Sequence, residues 1–275
     1  MKLLLCSFLL ALGLEAESDS DRSAVRTVTH RVRLVRPDAK DSKASSYSVV
    51  QVVDAQGHLA EYYADVESVA CDDSGCQVVI VRLFWDILGN YRRYELPAGG
   101  VLTKRGHKPF TAADHAKLHA ILSNLESPLR MVSRDQITVP QEEGDAGDGG
   151  LDGVSGPTIL SHTDAVVSGA AYTCFTLWHW ANGQMGPRIQ ELTVKASDEN
   201  DLRRYLASEN EEYVDFALQQ ILDRKLVDQV VIDAVVDVAN RCSHNLLDPA
   251  LRYLNMASIA EDTDCFFRTI DALFL

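Results

Sequence analysis

An acidic, glycine-rich segment constrains the fold of this chain most strongly. Residues 140–150 carry carboxylates and glycines and almost no apolar side chain, so this segment cannot contribute to a hydrophobic core. The D-x-D-x-D-G spacing of a calcium-binding loop is absent from it. It precedes residues 151–183, which run into a strongly apolar helical pattern, and the composition changes after them. We therefore expect two structural parts, one ending with this helix and one following it.

Alternating polar and apolar residues predict β-strands in the first part. After Val25, residues 28, 30, 32 and 34 would share one face of an extended chain. Turn signals, such as the one at 54–57, separate the later runs. The strands predicted after the first are 47–53, 59–71, 77–84 and 91–96. Together they predict an antiparallel meander.

A helix is predicted directly after the meander. Thr111 and Asp114 have the spacing of a helix-capping arrangement, with the acidic residue in the first turn. Apolar residues then recur at helical intervals, and Pro128 ends the pattern.

The apolar pattern within 151–183 predicts a second, buried helix. We expect it to begin near Asp164, capped by Ser161 or Thr163, and to end at Gly183. Its apolar residues wrap most of the circumference, which indicates burial on more than one side. The expected fold class of residues 25–183 is therefore α+β.

Short amphipathic patterns predict an all-α module in the last part of the chain. We expect a linker at 184–196 and helices throughout 197–275. The predicted helices are 198–208, 211–225, 227–242, 248–257 and 261–273. Antiparallel pairs of this kind resemble HEAT-type repeats, but no clear sequence period is present, so a simple helical bundle is an equal alternative.

The N-terminal residues have the pattern of a signal peptide. Lys2 precedes an apolar run at 3–14, which is shorter than the roughly 20 residues that span a bilayer. We expect residues 1–17 to be removed on export, the mature protein to be periplasmic or secreted, and no membrane span to remain. The net charge of −14 disfavours nucleic acids and anionic lipids as partners.

Cys71 and Cys76 flank the turn sequence Asp-Asp-Ser-Gly between two predicted strands. This places them opposite each other at the end of a hairpin, where a disulfide is geometrically possible. Further ligands at metal-binding spacing are absent from the sequence around them. Cys174, Cys242 and Cys265 lie in helical patterns, for which buried thiols are expected.

The sequence Asp152-Gly-Val-Ser-Gly-Pro-Thr158 resembles a signature of the FMN-binding domain found in the Rnf and sodium-pumping quinone reductase complexes. In that family the pattern is roughly D-x-[IV]-[ST]-G-A-[ST]-x-[ST] and leads into a helix. The match covers Asp152, Val154, Ser155, Gly156 and Thr158. Its position, after a meander and a helix and before an apolar helix, is also similar.

The resemblance implies an exported α+β domain that binds FMN and serves as an accessory protein in extracytoplasmic electron transfer. It implies that Ser155, Gly156 and Thr158 surround the flavin phosphate, where the N-terminus of a helix favours an anion. Family members can carry FMN on the last hydroxyl residue of the motif. Leu160 occupies that position here, and Ser161 follows one residue later as the alternative hydroxyl. Non-covalent FMN, or a domain without flavin, therefore fits this sequence better than covalent attachment.

Other residues point less clearly to a function. His115 and His119 would share one face of a helix, but no third metal ligand is evident. For Trp178-His179-Trp180 we expect a buried helix end with its histidine hydrogen-bonded. The sequence contains no nucleophile elbow, no Walker loop, no HExxH motif and no Rossmann fingerprint, so we expect a non-enzymatic protein. The alternative to flavin binding is a flavin-free protein that binds partners through its C-terminal helices.

Overall fold

The computed structural model describes residues 25–37, 43–72, 75–133, 165–241 and 243–260. The predicted signal peptide, the flavin motif and the helix predicted at 261–273 lie outside these residues, as do the side chains of residues 70–77 and 259–260. The described chain is α+β, with an antiparallel sheet followed by helices, which confirms the expected class. No helix in these ranges has both the length and the apolar character that crossing a membrane requires.

Five antiparallel strands form the main sheet in chain order, as the alternating pattern predicts. They are β1 (Arg26–Val35), β2 (Ala44–Val53), β3 (Leu59–Asp72), β4 (Gly75–Trp85) and β5 (Tyr91–Glu95). The turns at 54–58 and 86–90 have the same hydrogen-bonding pattern. In each, an aspartate side chain accepts the backbone N–H groups two and four residues later. Such local bonding is the reason that aspartate favours turns.

The sheet has a covered inner face and an open outer face. Trp85 lies on the inner face, is fully buried, and donates its Nε1–H to the carbonyl of Ala181 at 2.7 Å. On the outer face the guanidinium of Arg82 lies 4.4 Å from the ring centroid of Tyr63. The hydrophobic core therefore lies between the inner face of the sheet and the helices.

The first helix follows a small hairpin formed by β6 (Thr103–Lys104) and β7 (Lys108–Pro109). It is α1 (Ala112–Ser123), and a 3-10 turn follows at Pro128–Met131. The hydroxyl of Thr111 accepts the N–H of Asp114, whose carboxylate accepts the N–H of Thr111, which confirms the predicted cap. Lys104 also donates to Asp114 at 2.8 Å, and this bond is the main reason that the pKa of the carboxyl is lowered to about 2.

The apolar helix begins later than expected. Helix α2 spans Ala171–Asn182, so the predicted start near Asp164 is wrong, although the predicted end at Gly183 is confirmed. Gly169 has a φ of +73°, which lies outside the range of a right-handed helix and prevents an earlier start. The helix is buried on several sides, as predicted. Of the proposed caps, Ser161 and Thr163 lie outside the described residues, and Ala170 occupies the N-cap position.

Residues 184–196, where we expect a linker, form helix α3 (Met185–Ala196). Met185, Ile189 and Thr193 recur every four residues and are buried. The hydroxyl of Thr193 lies 3.1 Å from that of Tyr62 and donates to the carbonyl of Ile87 at 2.5 Å. This segment therefore packs against the sheet as part of the common core. The predicted boundary at residue 197 stays a prediction.

The last described part consists of short helices, as predicted. They are α4 (Glu199–Leu206), α5 (Glu211–Arg224), α6 (Gln229–Arg241) and α7 (His244–Ala260). α4 packs on α5 and α6 on α7, and the two pairs meet through α4 with α6 and α5 with α7. Stacked helix pairs of this kind are compatible with both a HEAT-like array and a bundle.

The cysteine predictions are tested in part. Cys71 and Cys76 lie directly opposite each other in the register of β3 and β4. Their side chains are outside the described residues, so the disulfide stays a prediction. Cys174 is a buried free thiol, as expected, and burial raises its pKa to about 12.

Candidate functional site

The residues of the predicted flavin site, Asp152, Ser155, Gly156, Thr158 and Ser161, lie outside the described part of the chain. Of this region the structure describes residue 165 onward, where the chain approaches α2. It enters the helix through Gly169, whose carbonyl accepts the backbone N–H of Arg105 at 2.7 Å. The N-cap position of α2 offers no side-chain acceptor to the first backbone N–H groups of the helix.

The aromatic residues at the end of α2 have structural roles. Trp178 Nε1 donates to the carbonyl of Asn124 at 2.9 Å, and His179 Nε2 lies 3.0 Å from the carbonyl of Leu129. These bonds attach α2 to the end of α1 and to the 3-10 turn after it. Burial lowers the pKa of His179, so its ring is neutral and donates from Nε2. The prediction of a buried helix end with a hydrogen-bonded histidine is confirmed.

The two histidines of α1 each bind a tyrosine of β5. His115 Nδ1 lies 2.6 Å from the hydroxyl of Tyr94, and His119 Nδ1 lies 3.1 Å from that of Tyr91. An irregularity in the β4–β5 register, opposite Trp85, brings both tyrosines to the inner face. Burial raises the pKa of both phenols. Among the described residues, no three His, Cys, Asp or Glu side chains are placed to hold a metal ion, so these pairs attach α1 to the sheet.

An open groove of about 540 Å³ lies between the β4–β5 turn and helices α3, α5 and α7. Its volume is within the range of roughly 300–1,000 Å³ that is typical of ligand sites. We call it the acidic groove. Its lining residues are Leu88, Asn90, Gln190, Glu211, Glu212, Asp215, Phe216, Gln219, Gln220, Asn245 and Leu246.

Carboxylates dominate the charge of the acidic groove. Glu211, Glu212 and Asp215 are exposed side chains on the first turns of α5, and no Lys or Arg lines the groove. Glu212 accepts a hydrogen bond from Asn90 Nδ2 at 2.8 Å. None of the three carboxylates has a cationic partner in the described ranges. The groove therefore presents a local negative potential that favours a cation.

The remaining lining residues of the acidic groove combine an apolar floor with amide groups. Phe216 and Leu246 form the floor and are 6% and 5% exposed. Gln220 is 9% exposed, and its amide makes no hydrogen bond to another described residue. The amide atoms remain accessible to solvent in the open groove. Gln220 can therefore offer both a donor and an acceptor to a bound molecule.

The acidic groove was not predicted from the sequence, although part of its pattern is visible there. Glu212, Asp215, Phe216, Gln219 and Gln220 recur at helical spacing and share one face of α5. A face with both carboxylates and a phenylalanine departs from a purely solvated one. The contributions of the β4–β5 turn, α3 and α7 come from distant parts of the chain, and no local pattern indicates them.

Comparisons with known proteins do not add to this picture. A scan against family models and searches of curated proteins and of solved structures gave no match to the chain. We therefore infer function from the side chains and from the geometry of the groove.

Proposed function

We propose that this protein is a non-enzymatic interaction protein whose acidic groove binds a basic segment of a partner protein. The observation that carries the proposal is the set of carboxylates Glu211, Glu212 and Asp215, which have no cationic partner among the described residues and lie above an apolar floor. This interaction role is the flavin-free alternative expected from the sequence, with its site at the edge of the C-terminal helices.

The lining of the acidic groove fits the chemistry of arginine and lysine side chains in a peptide. The carboxylates would pair with the cationic groups, and charge-assisted bonds of this kind are stronger than neutral ones. The aliphatic stems of such side chains would pack on Phe216 and Leu246. The amides of Gln190, Gln220 and Asn245 would bind the peptide backbone, which offers both donors and acceptors.

A direct test uses a short fluorescent peptide that alternates arginine and leucine, titrated with the purified chain and followed by anisotropy. The double variant Glu211→Gln/Asp215→Asn should weaken binding by about tenfold or more, because it removes two carboxylates from the groove. The control Glu209→Gln/Asp233→Asn makes the same change of charge at exposed positions that do not line the groove.

The control should bind like the unmodified chain. A peptide that alternates glutamate and leucine should not displace the arginine peptide from the acidic groove, and added salt should weaken binding of the arginine peptide. Equal losses in both double variants would show that only the net charge of the protein attracts the peptide, and would exclude the groove as its site.

We also propose a second function, FMN binding by the loop that leads into α2. The supporting observation is the start of α2, where no side chain caps the first backbone N–H groups of the helix. A helix N-terminus favours a phosphate group. Asp152, Ser155, Gly156 and Thr158, with Ser161 as the alternative hydroxyl, would surround that phosphate. Bound FMN would supply electron-transfer chemistry, and the protein would position it.

The test of FMN binding is a visible absorption spectrum of the exported protein, produced with a flavin transferase and measured before and after denaturation and filtration. Flavin bands retained by the denatured chain would show covalent attachment, and bands in the filtrate would show non-covalent FMN. Thr158→Ala should weaken binding of added FMN. A colourless protein that also fails to bind added FMN would exclude this second function.

A further inference from the structure

Strand β1 is a long edge strand of the main sheet. Its ten residues pair with β2 in unbroken register, and no other described element packs extensively against it. At its end, the N–H of Val35 donates to the side chain of Gln184 at 3.4 Å. The opposite edge, β5, has only five residues and packs against α1. A regular edge of this length is able to pair with another extended chain.

The outer face of β1 carries a positive charge that the sheet does not neutralise. Arg31 and Arg33 are exposed, and their cross-strand neighbours on β2 are Ser48 and Ser46. Neither arginine has a partner in the described part of the chain. This differs from Arg82 and Arg93 on the other strands, which pair with Asp65 and Glu61, and from Arg36 after β1, which pairs with Glu67.

The inner face of β1 carries three apolar residues together with Arg26 and with His30, whose ring bonds to Gln51. Val32 and Leu34 are 7% and 2% exposed, whereas Val28 is 45% exposed. All three point to the same face, because side chains two residues apart in a strand do so. An additional strand beside β1 would cover Val28 with its own inward-facing side chain.

We propose that the edge of β1 accepts an extended segment of a partner protein in which acidic and apolar residues alternate. The acidic side chains would lie beside Arg31 and Arg33 on the outer face, and the apolar side chains would lie beside Val28 on the inner face. Main-chain hydrogen bonds to the edge of β1 would hold the segment. A second copy of β1 is a poor occupant, because arginines would then lie beside arginines. This proposal is independent of the acidic groove.

The experiment titrates the full chain against a labelled peptide that alternates glutamate and valine. Arg31→Glu and Arg33→Glu should each weaken binding by roughly tenfold, because each replaces an attractive cross-strand pair with a repulsive one. Arg92→Glu is the matched control, since Arg92 is an exposed arginine on β5, at the other edge of the sheet. It should change the affinity by less than about twofold. Circular dichroism checks that each variant is folded.

Two further peptides separate strand pairing from attraction by charge alone. A glutamate–valine peptide with N-methylated backbone amides on one edge should lose binding, because it cannot donate main-chain hydrogen bonds. A lysine–valine peptide should not bind. Hydrogen exchange should show protection of the amides of β1 when the unmodified peptide is bound.

The proposal is overturned if the glutamate–valine peptide does not bind, or if the N-methylated or the lysine peptide binds equally well. It is also overturned if Arg31→Glu and Arg92→Glu have equal effects. Sedimentation of the chain alone tests the other occupant, since a dimer protected at β1 would show that a second copy covers this edge.

Discussion

Gly89 offers a stability test of the contact between the sheet and α3. It has a φ of +85°, and a Cβ added to it would overlap the backbone of Gly186. Gly57 occupies the same place in the matching turn at 54–58, with a φ of +88° and open space around it. In both turns the glycine N–H donates to the aspartate carbonyl three residues earlier. Gly57→Ala therefore measures the cost of the backbone conformation alone.

The expected losses depend on the two surroundings. An alanine in the left-handed region costs about 1–2 kcal/mol, which is the whole effect expected for Gly57→Ala. Overpacking adds about 1–3 kcal/mol, because the obstacle at Gly89 is backbone and not a flexible side chain. Gly89→Ala should therefore lower the free energy of unfolding by about 3 kcal/mol.

Urea unfolding of both variants, followed by circular dichroism, measures these free energies. The Gly89→Ala midpoint should lie clearly below that of Gly57→Ala, at an unchanged slope. Equal losses in the two variants would refute the close approach of α3 to the β4–β5 turn. Because Leu88 and Asn90 of this turn line the acidic groove, Gly89→Ala should also weaken binding of the arginine–leucine peptide.

Four other predictions concern stability. Thr111→Ala should lower the unfolding free energy by about 1 kcal/mol in urea, through loss of the cap on α1. Thr193→Val should cost about 1–3 kcal/mol in the same assay, because a buried carbonyl and a buried phenol lose their partner. The pKa of His179 lies below its ordinary value of 6.5, so thermal unfolding should show stability falling as the pH drops below about 6.5, and less so in His179→Gln. The pKa of Asp114 is lowered from 3.8 to about 2, so its stabilisation is complete above about pH 4 and is lost towards pH 2; an NMR titration of Lys104→Met should show a higher pKa.

Local patterns predict the sheet and the cap of α1 well because their causes are local. The strands β1 to β5 follow from the alternation of polar and apolar residues, and each aspartate turn is formed by residues within four positions. The cap of α1 is also formed by two residues three positions apart, Thr111 and Asp114. These features are therefore predictable from the sequence, with boundaries close to those of the structure.

The two elements that the sequence predicts incorrectly, the start of α2 and the helix at 184–196, depend on contacts with distant segments. Helix α2 begins at Ala171 because Gly169 adopts a positive φ beside Arg105, a contact with a distant segment. The helical nature of 184–196 is weakly marked, since Met185, Ile189 and Thr193 form a narrow stripe that includes a polar residue. Its burial depends on a contact of Thr193 with the sheet. A local pattern does not reveal such a contact.

The acidic groove also combines a feature that is visible in the local sequence with contacts between distant segments. The carboxylates of α5 are visible in the sequence as an acidic first turn, which alone indicates only a favourable helix dipole. These carboxylates form one wall of a groove only because the β4–β5 turn, α3 and α7 place Leu88, Gln190 and Leu246 opposite them. The sequence therefore predicts the helix but not the site.

Mapping the position of the bound arginine–leucine peptide tests the central claim most directly. We predict that hydrogen exchange of the complex shows protection in α5 and at the start of α7, with β1 unchanged. The protection should disappear in Glu211→Gln/Asp215→Asn and persist in Glu209→Gln/Asp233→Asn. Protection elsewhere in the chain, or equal protection in both variants, would contradict the assignment of the acidic groove as a site for basic protein segments.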